Sequence, residues 1–408
     1  MRRAREAAAN RKIRVLFTQS QPEFSATSAV HGLLMRNLDP ERTEVHVACV
    51  GKTASGTPDS LRILRAIPQV RLRQTRFGPT IYRKAGLDVA RLAATQGLPT
   101  AASLAGLATY IKRHRIDVLH FAERPRDAFY GQLLGQATSA KTVFHLHLQP
   151  ADWMSSRVQW AMSRADGLIC VSEWVARAAI ARGQALQRTH VVLNGIDLPH
   201  WDPATDGGPI RVEFGIPTDA LVFSIVARVV PSKGHEQLLA ALARAQDRIP
   251  PFRLIVVGDD DPTVLPAGFS QVAALREQAC RFGLADRVIF AGRRQDVREI
   301  LAASDVYAMP SLDEAFGMAF VEAMAMQCPV VAFDVGGTSE VVQNGQSGLI
   351  SQPGDLARLA ANIALLGNDP TLRRIMGAAG RARVERHFNA ARMARDVEDV
   401  YRRVLSLN

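Results

Sequence analysis

The sequence predicts an α/β fold of two domains, each built on a parallel sheet covered by helices. Short apolar runs alternate with amphipathic helical segments along almost the whole chain, and this rhythm is typical of parallel sheets. A Pro- and Gly-rich stretch at residues 201–217 divides the alternation into two series, and we expect it to be a linker. The length of 408 residues also favours two domains, since one domain usually takes about 100–200 residues.

The first series predicts a domain over residues 13–200, after a basic and polar leader at residues 1–12 that we expect to be flexible. Apolar runs bounded by polar residues predict its strands, which are Ile13–Thr18, Glu44–Val50, Val70–Arg73, Asp117–Phe121, Thr142–His147, Gly167–Val171 and His190–Leu193. Helical periodicity predicts helices at Ala29–Leu38 and Leu104–Arg115 and a third that includes Ala128.

The second series predicts a domain over residues 218–386 with the same alternation. Its predicted strands are Leu221–Ala227, Phe252–Val257, Val288–Phe290, Val306–Met309, Val330–Phe333 and Gly348–Ile350. Its predicted helices are His235–Ala245, Val272–Phe282, Asp296–Ala302, Ala319–Met326, Ala357–Leu366 and Pro370–Arg386. The last segment, residues 387–408, carries one more amphipathic helix at Ala390–Leu405. Two such domains predict a ligand site in the cleft between them.

The composition excludes several classes of protein. With 47% hydrophobic and 22% charged residues, the chain has the composition of a globular protein and not of a disordered one. No run approaches the roughly 18 apolar residues that a membrane-spanning helix needs. The four cysteines lie far apart, without zinc or redox spacing, and no apolar region follows the basic start. We therefore expect a cytoplasmic protein in a reducing compartment.

The positive charge is concentrated in the first half of the chain. Residues 1–200 hold 28 Lys and Arg against 14 Asp and Glu, whereas residues 201–408 hold 22 against 25. A basic half attracts nucleic acid, anionic lipid or a phosphorylated substrate, or it is simply a solvated surface. Aromatic and basic residues are not interleaved as in nucleic-acid readers, so we expect no nucleic-acid partner. We expect the stretch Arg62–Arg91 to contact an anionic membrane surface, where lipid-linked acceptors lie.

Two carboxylates flank a predicted strand-to-helix turn. Glu314 precedes the helix and Glu322 lies within it, eight positions later. Gly317 lets the chain turn between them and leaves the first amides of the helix free for an anion such as a diphosphate. Glu314 could instead merely complement the helix N-terminus, with Glu322 on a solvated face. Residues 301–350 contain no Lys or Arg, so neither carboxylate has a cation nearby in the sequence.

Two cations are predicted at the carboxyl edge of the same sheet. Arg228 follows one strand and Lys233 precedes a helix, and ligands of open α/β sheets bind at this edge. Together they could neutralise a diphosphate and stabilise it as a leaving group. Ordinary loop cations are the alternative. Gly336-Gly337 also follows a strand and allows close approach of a ligand, but such pairs are often only turns.

Three histidines border strands of the first domain. His120, His145 and His147, with Glu123 and Asp152, would be the material of a metal site. They lack a closely spaced ligand set, and strand alternation places His145 and His147 on one face for other reasons. We therefore expect no metal here, and a structural histidine or one that borders the cleft instead. The Asp259–Asp261 triplet is likewise more typical of a solvated turn than of a metal site.

These motifs together resemble glycosyltransferase family 4, the retaining nucleotide-sugar enzymes with the GT-B fold. Residues 310–340 read PSLDEAFGMAFVEAMAMQCPVVAFDVGGTSE, and the family pattern is PS-x-x-E-x-FG-x-x-x-x-EAMA followed by PVVA and GG-x-x-E. An R-x(4)-KG element ends at Gly234. The motifs DVLHFAE, VFHLH, VSEWV and LNGID also match landmarks of the family's first domain.

The resemblance implies two Rossmann-like domains with a deep interdomain cleft and a metal-independent transfer without a cofactor. The last helix would cross back to the first domain. It implies that Arg228 and Lys233 bind the donor diphosphate, that Glu314 approaches the donor sugar and that Glu322 accepts hydrogen bonds from the ribose. It further implies that the backbone around Phe316, Gly317 and Met318 contacts the sugar or the phosphate, and that the base binds near Arg294. His147 would face the reacting sugar from the first domain.

The sequence departs from the family at three places. The loop at residues 21–28 has no glycine where the family often has a Gly-Gly phosphate contact, so a contact with the donor there is an open question. Gln327 replaces a common glycine, and Ala122 stands where some members have histidine. A hexosyl transfer in polysaccharide, lipopolysaccharide or glycolipid synthesis is expected. A nucleotide-sugar epimerase and a non-catalytic sugar-nucleotide-binding protein are the alternatives.

Overall fold

The computed structural model describes residues 11–23, 25–51, 56–77 and 87–407, and for residues 87–96 it describes the backbone alone. The chain forms two compact units. Unit 1 consists of the residues up to Gly195 together with those from Ala390 onward, and unit 2 consists of Ile196–Asn389. Within the described part of the chain, no helix combines the length and the apolar character that crossing a bilayer requires.

Strands and helices alternate along both units. The strands are β1 (Ile13–Gln19), β2 (Thr43–Val50), β3 (Val70–Thr75), β4 (Val118–Ala122), β5 (Lys141–Leu146), β6 (Gly167–Cys170), β7 (Thr189–Val191), β8 (Leu221–Val226), β9 (Phe252–Val257), β10 (Val288–Gly292), β11 (Val306–Met309), β12 (Val330–Phe333) and β13 (Gly348–Ser351). The helices are α1 (Ala26–Asn37), α2 (Asp59–Arg65), α3 (Leu87–Arg113), α4 (Pro125–Ala137), α5 (Ser156–Arg164), α6 (Glu173–Ala181), α7 (Gly208–Glu213), α8 (His235–Ala245), α9 (Gln271–Arg281), α10 (Val297–Ala302), α11 (Met318–Ala325), α12 (Thr338–Val341), α13 (Leu356–Asn368), α14 (Pro370–His387) and α15 (Ala390–Val404).

The sheet of unit 1 is parallel and has the strand order β3-β2-β1-β4-β5-β6-β7. β1 pairs along its whole length with β2, from Ile13 opposite Thr43 to Gln19 opposite Cys49. Both faces are covered, as a parallel sheet requires. Phe121 of β4, fully buried, points to the face opposite that of its neighbour His120, because side chains alternate along a strand.

The sheet of unit 2 is also parallel, in the order β10-β9-β8-β11-β12-β13. In each sheet the strand order reverses beside the first strand of the unit, between β1 and β4 and between β8 and β11. The loops at the carboxyl ends of the strands separate at such a point, and this leaves a crevice for ligands. The predicted α/β architecture of two parallel sheets is thus confirmed.

The last helix, α15, belongs to unit 1 although it follows unit 2 in the chain. It packs on α1 and buries Met393 and Val397. Glu398 is also buried, and its carboxylate accepts hydrogen bonds from the Asp39 amide at 3.0 Å and the Thr43 hydroxyl at 2.9 Å. These bonds compensate for the cost of burying the carboxylate.

Residues 201–217 do not form the expected linker, because this segment is part of unit 2. It contains α7, whose Ile210 is buried in a core cluster with Val222 and Ile255. Pro209 lies in the first turn of α7, and a Cβ at Gly207 would lie 2.3 Å from the Ala303 amide nitrogen. Proline starts the helix and glycine allows the close packing, whereas in sequence both residues also indicate a linker.

The other differences from prediction concern helices and the first residues. The predicted helix Leu104–Arg115 is the later part of α3, which is 27 residues long and contains Pro99. Helices α2, α5 and α6 were not predicted, and α6 has a Ser172 cap that accepts a hydrogen bond from the Val175 amide. Most of the predicted basic leader, residues 1–10, lies outside the described residues.

Candidate functional site

The predicted donor residues of unit 2 gather at the carboxyl edge of its sheet. Arg228 follows β8 and Glu314 follows β11, the two strands on either side of the order reversal. Arg294 follows β10, while Gly317 and Glu322 belong to the start and middle of α11. The topology therefore brings together residues that are up to 94 positions apart, as the sequence predicts for this edge.

Lys233 and Glu314 form an ion pair at this edge. The Lys233 Nζ donates to Glu314 Oε2 at 2.7 Å, and the two side chains are 19% and 12% exposed. The next residue, Gly234, has a φ of 76°, and a Cβ there would lie 1.9 Å from the carbonyl oxygen of Pro310. Only glycine fits this contact, so the Lys233 turn is packed against the loop that carries Glu314.

Arg228 lies in a more open position. Its Nη1 donates to Asp261 Oδ2 at 2.5 Å, and its side chain is 61% exposed. Hydrogen bonds from Thr263, followed by the bond from Arg228, lower the pKa of the Asp261 carboxyl to about 2. The Asp259–Asp261 turn therefore has a defined role for one of its carboxylates, which positions the Arg228 guanidinium.

Arg294 is held by two carboxylates. Its guanidinium donates to both oxygens of Glu213, at 2.6 and 2.9 Å, and to Asp296, and these bonds raise its pKa. Together with Arg228 and Gly258, Arg294 lines a cavity of about 380 Å³. The structure thus places Arg294 beside the predicted donor site, where its own charge is largely balanced.

The start of α11 has the features of an anion site. Gly317 precedes the helix with a φ of 95°, and the amides of Gly317, Met318 and Ala319 have no hydrogen-bond partner among the described residues. Free amides and the helix dipole attract negative charge. The Phe316 side chain is buried and packs edge-on against Phe388, with the ring centroids 5.8 Å apart. Only the backbone of Phe316 could therefore make the predicted contact with the donor.

Glu322 lies one turn further along α11. Its side chain is half-buried, and burial raises the pKa of its carboxyl from its usual 4.5 to about 7. It has no hydrogen-bond partner or ion pair in the part of the chain that the structure describes. An unpartnered carboxyl of this kind favours hydroxyl donors from a ligand, because they compensate for its desolvation.

The Gly336-Gly337 turn contacts the protein itself. The Gly337 amide donates to the Glu314 carbonyl oxygen at 2.9 Å. Gly336 has a φ of 58°, and a Cβ there would lie 1.9 Å from that same oxygen. The sequence indicated a close approach at these glycines and left its partner open between a ligand and a turn. The structure identifies the partner as the Glu314 loop.

His147, the predicted site residue of unit 1, belongs to a cluster of histidines. Its Nε2 lies 3.1 Å from the Nε2 of His31, and its amide donates to Glu123 at 3.2 Å. His120 and His145 complete the cluster, joined by a 3.2 Å contact of His120 Nε2 and His145 Nδ1. Burial lowers the pKa of all four imidazoles and keeps them neutral.

Sequence reasoning missed His31 and Asp127. His31 lies on α1, where a single histidine among apolar residues has no motif to identify it. Asp127, on α4, is buried and accepts a hydrogen bond from the Ser20 amide at 2.9 Å, and burial raises its pKa to about 7. Tertiary packing alone brings His31 to the other histidines and Asp127 to the segment that follows β1.

The glycine-free loop at residues 21–28 is described except for Phe24. Ser25 caps α1, since its hydroxyl accepts a hydrogen bond from the Ser28 amide at 3.3 Å. The Ser28 hydroxyl in turn accepts a hydrogen bond from the Gln19 amide group. The hydroxyls of Ser25 and Ser28 therefore already have partners within unit 1.

A second cavity lies at the carboxyl ends of β2 and β3 in unit 1. It has a volume of about 750 Å³, and its wall carries the guanidinium groups of Arg73, Arg76 and Arg126 and the hydroxyls of Thr75 and Ser103. Three arginines around a cavity favour an anionic ligand. Arg73 and Arg76 belong to the basic stretch Arg62–Arg91, of which residues 78–86 lie outside the described residues.

Comparison with known proteins identifies both halves of the chain. The family model for glycosyl transferases group 1 matches residues 208–383, and the model for Glycosyltransferase Family 4 matches residues 33–199. The alpha-maltose-1-phosphate synthase of Mycolicibacterium smegmatis is 33% identical over 272 residues, which cover 63% of this chain and 67% of that enzyme. The enzyme of the same name from Mycobacterium tuberculosis is 31% identical over 63% of this chain and 73% of its own length.

Solved structures show the same fold. HepE from Anabaena, solved with UDP and glucose, matches with a TM-score of 0.76 and 23% identity over 95% of this chain and 98% of that chain. Sucrose-phosphate synthase from Thermosynechococcus elongatus matches with a TM-score of 0.76 and 23% identity over 97% and 100% of the two chains. Two Rossmann-like domains and these neighbours confirm the predicted GT-B fold. The chain is a glycosyltransferase that belongs to glycosyltransferase family 4.

Proposed function

We propose that the protein transfers a sugar from a nucleoside diphosphate sugar to an acceptor hydroxyl, with retention at the anomeric carbon. One observation carries the proposal: the Lys233–Glu314 ion pair joins the segments that follow β8 and β11, on the two sides of the strand-order reversal, where Arg228 and the free amides that begin α11 also lie. This edge therefore offers positive charge for a diphosphate and a carboxylate for the attached sugar.

The donor would bind by replacing contacts that the protein makes with itself. The diphosphate would accept hydrogen bonds from Arg228, Lys233 and the amides of Gly317 and Met318. The ribose hydroxyls would donate to Glu322, and the base would enter the cavity of about 380 Å³ beside Arg294. Structures of HepE with UDP and with UDP-glucose support a uridine nucleotide as the first to test.

The chemistry would be assisted mainly at the leaving group. The bond from the anomeric carbon to the diphosphate oxygen breaks, and the positive groups stabilise the charge that develops on this oxygen. Each tenfold gain in rate requires about 1.4 kcal/mol of such stabilisation. Glu314 would position the sugar through its hydroxyls, and the family resemblance assigns His147 to face the reacting sugar.

Retention would follow from attack on the face that the diphosphate leaves. Glu314 is engaged by Lys233, and the sequence offers no obvious carboxylate nucleophile for a double displacement. The acceptor hydroxyl would therefore add to the oxocarbenium-like carbon while its proton passes to the departing diphosphate oxygen. We propose that this step needs no metal or other cofactor, since Arg228 and Lys233 supply the positive charge.

The acceptor would bind in the arginine-lined cavity of unit 1. Two relatives support an acceptor with a phosphate group: the alpha-maltose-1-phosphate synthase already described and the D-inositol 3-phosphate glycosyltransferase of Streptomyces scabiei, 33% identical over 48% of this chain and 44% of that enzyme. Arg73, Arg76 and Arg126 would meet this phosphate. If the acceptor is linked to a lipid, the basic stretch Arg62–Arg91 would contact the anionic inner face of the cell membrane. The enzyme would then act in the cytoplasm, in the synthesis of a polysaccharide, a lipopolysaccharide or a glycolipid.

A thermal-shift panel tests the donor site first. We expect UDP and UDP-sugars to raise the melting temperature of the wild-type protein by mass action, and we expect Lys233→Ala to abolish this rise. Release of nucleoside diphosphate on addition of phosphorylated or lipid-linked acceptors then tests transfer, and the anomeric configuration of the product tests retention. No shift with any nucleoside diphosphate would reject the donor site.

Two alternatives give different results in the same assays. A nucleotide-sugar epimerase would change its donor without an acceptor, whereas the proposed enzyme needs an acceptor for turnover. A non-catalytic sugar-nucleotide-binding protein would bind the donor and release no diphosphate with any acceptor. A nucleic-acid partner is not expected, and salt-sensitive binding to duplex DNA without competition by nucleotide sugars would contradict this.

A further inference from the structure

A cluster of buried imidazoles lies on one face of the unit 1 sheet. His120 is in β4, His145 is in β5 and His31 is on α1, which covers this face, and the three side chains are at most 1% exposed. One ring nitrogen from each lies within 4.8 Å of those of the other two. Three neutral imidazoles rarely gather in a dry interior without a role for their nitrogens, because each unpaired polar atom costs free energy there.

We propose that His31, His120 and His145 bind a divalent transition-metal ion, with zinc as the metal to test. Zinc–nitrogen bonds measure about 2.0–2.1 Å, so two nitrogens on a tetrahedral ion lie roughly 3.3 Å apart. The His120 Nε2 and His145 Nδ1 are 3.2 Å apart. This spacing fits two ligands on one ion, and it also fits a hydrogen bond between the two rings, which is the alternative that the test below excludes.

The surroundings of His120 match those of a metal ligand. Its Nδ1 lies 2.8 Å from the Tyr401 hydroxyl of α15, and the tautomer in which Nδ1 donates to this hydroxyl leaves the lone pair of Nε2 facing His145. Ligand histidines usually make such a bond with their second nitrogen. The second observation is an unpaired nitrogen within the cluster: the Nε2 of His145 is buried and has no hydrogen-bond partner among the described residues, whereas its Nδ1 faces His120.

The chemistry of the cluster selects the class of metal. Imidazole ligands suit zinc, copper and nickel, whereas calcium and magnesium prefer oxygen ligands. His147, whose Nε2 lies 3.1 Å from that of His31, borders the three ligands and is not counted among them, since the family resemblance has it face the reacting sugar. The buried side chain of Glu123 accepts a hydrogen bond from the His147 amide.

A metal here would have a structural role. It would join α1, β4 and β5 and, through Tyr401, the returning helix α15. All of these belong to unit 1, whereas the residues proposed for the donor diphosphate belong to unit 2. The proposal is therefore compatible with metal-independent transfer. It differs from the sequence-based expectation of no metal, because that expectation did not include His31.

The test uses the full chain, stripped with a chelator and then titrated with zinc sulfate. We expect one equivalent of zinc per chain, a higher melting temperature and, with cobalt in its place, the visible bands of a tetrahedral site. His145→Asn and His31→Asn should each weaken zinc binding at least tenfold. His46→Asn is the matched control: His46 is also buried and its Nδ1 lies 2.7 Å from the Tyr110 hydroxyl, but Glu44 occupies its other nitrogen.

Two results would overturn the proposal. One is wild-type protein that retains less than about a tenth of an equivalent of zinc after gel filtration and shows no tetrahedral cobalt spectrum. The other is full zinc binding by both His145→Asn and His31→Asn. The cobalt spectrum is measured on the wild-type chain. It therefore tests the proposal even if one of the variants fails to fold.

Discussion

The two units use the same topology to build opposite kinds of polar site. In unit 2, the strand-order reversal carries full charges: the Lys233–Glu314 pair, and Arg228 with Asp261. In unit 1, the corresponding reversal lies beside neutral imidazoles, with His120 on β4 and His31 on the helix that follows β1. The same strand order therefore supports charged groups in the loops of unit 2 and buried neutral groups beneath a helix in unit 1, so the side chains and not the fold decide the chemistry.

The largest expected effect is the loss of transfer when the unit 2 charges are removed. Lys233→Ala should lower kcat/KM for transfer by about 10²–10³-fold, since a donor to the leaving group acts mainly in the transition state. The matched control is Lys141→Ala in unit 1. Lys141 begins β5, and its Nζ lies 2.8 Å from a carboxylate oxygen of Asp166. Equal activity losses in the two variants would contradict the assignment of Lys233.

A second comparison concerns two glycines with positive φ. Gly336→Ala in unit 2 would place a Cβ 1.9 Å from the Glu314 carbonyl oxygen. Backbone strain and overpacking should together lower the free energy of unfolding by about 3 kcal/mol and displace Glu314, and thereby also lower kcat.

Gly183→Ala in unit 1 is the control for the same backbone strain. Gly183 has a φ of 89° and no atom within 4 Å of a Cβ placed there. We expect a loss of only about 1–2 kcal/mol and unchanged transfer. Denaturant unfolding and kinetics measure both quantities. If Gly336→Ala lowered the free energy of unfolding and kcat no more than Gly183→Ala does, the close contact between Gly336 and the Glu314 carbonyl would not contribute to stability or activity.

A third comparison uses two carboxyls with raised pKa values, the half-buried Glu322 in unit 2 and the buried Asp127 in unit 1. Burial raises the pKa of each to about 7. A raised pKa favours folding at low pH, so this stabilisation is full below about pH 4 and is lost as the pH rises through 7. Glu322→Gln and Asp127→Asn should each reduce the fall in unfolding free energy between pH 4 and about 8.

Only Glu322 should couple this titration to the nucleotide. Ribose hydroxyls favour its ionised form, so UDP affinity should rise about tenfold between pH 6 and about 8 in the wild type and in Asp127→Asn. Glu322→Gln should bind UDP more weakly and without this pH dependence. Calorimetry at several pH values measures the affinities. If the affinity of Glu322→Gln for UDP rose with pH as steeply as that of the wild type, Glu322 would not be the ribose contact.

The smallest expected effect concerns residues other than glycine with a left-handed backbone. Gln327, after α11 in unit 2, has a φ of 59°, and Arg115 in unit 1 has a φ of 49°. Gln327→Gly and Arg115→Gly should each stabilise the protein by about 0.5–1 kcal/mol, because the strain relieved exceeds the added chain entropy. Thermal unfolding checks this, and a lower melting temperature for both variants would contradict it.

Prediction from sequence succeeded where short-range patterns determine the structure. Apolar runs identified strands such as Phe252–Val257 with correct bounds, and the strands before Arg228 and Glu314 predicted that these two side chains lie at the carboxyl edge of the sheet. The histidine cluster could not be predicted, since His31 reaches His120 only when α1 packs on the sheet. The partner of Gly336 likewise depends on the Glu314 loop, 22 positions earlier in the chain.

The position of unit 2 in the chain has a practical consequence. Unit 2 is one continuous segment, and its first and last residues, Ile196 and Asn389, form a parallel bridge, with the Ile196 amide donating to the Phe388 carbonyl at 2.8 Å. Its ends are therefore side by side, like those of a cassette inserted into a host domain. We expect residues 196–389 to be producible as a separate fragment, which contains the residues that we propose for the donor diphosphate, the ribose and the base.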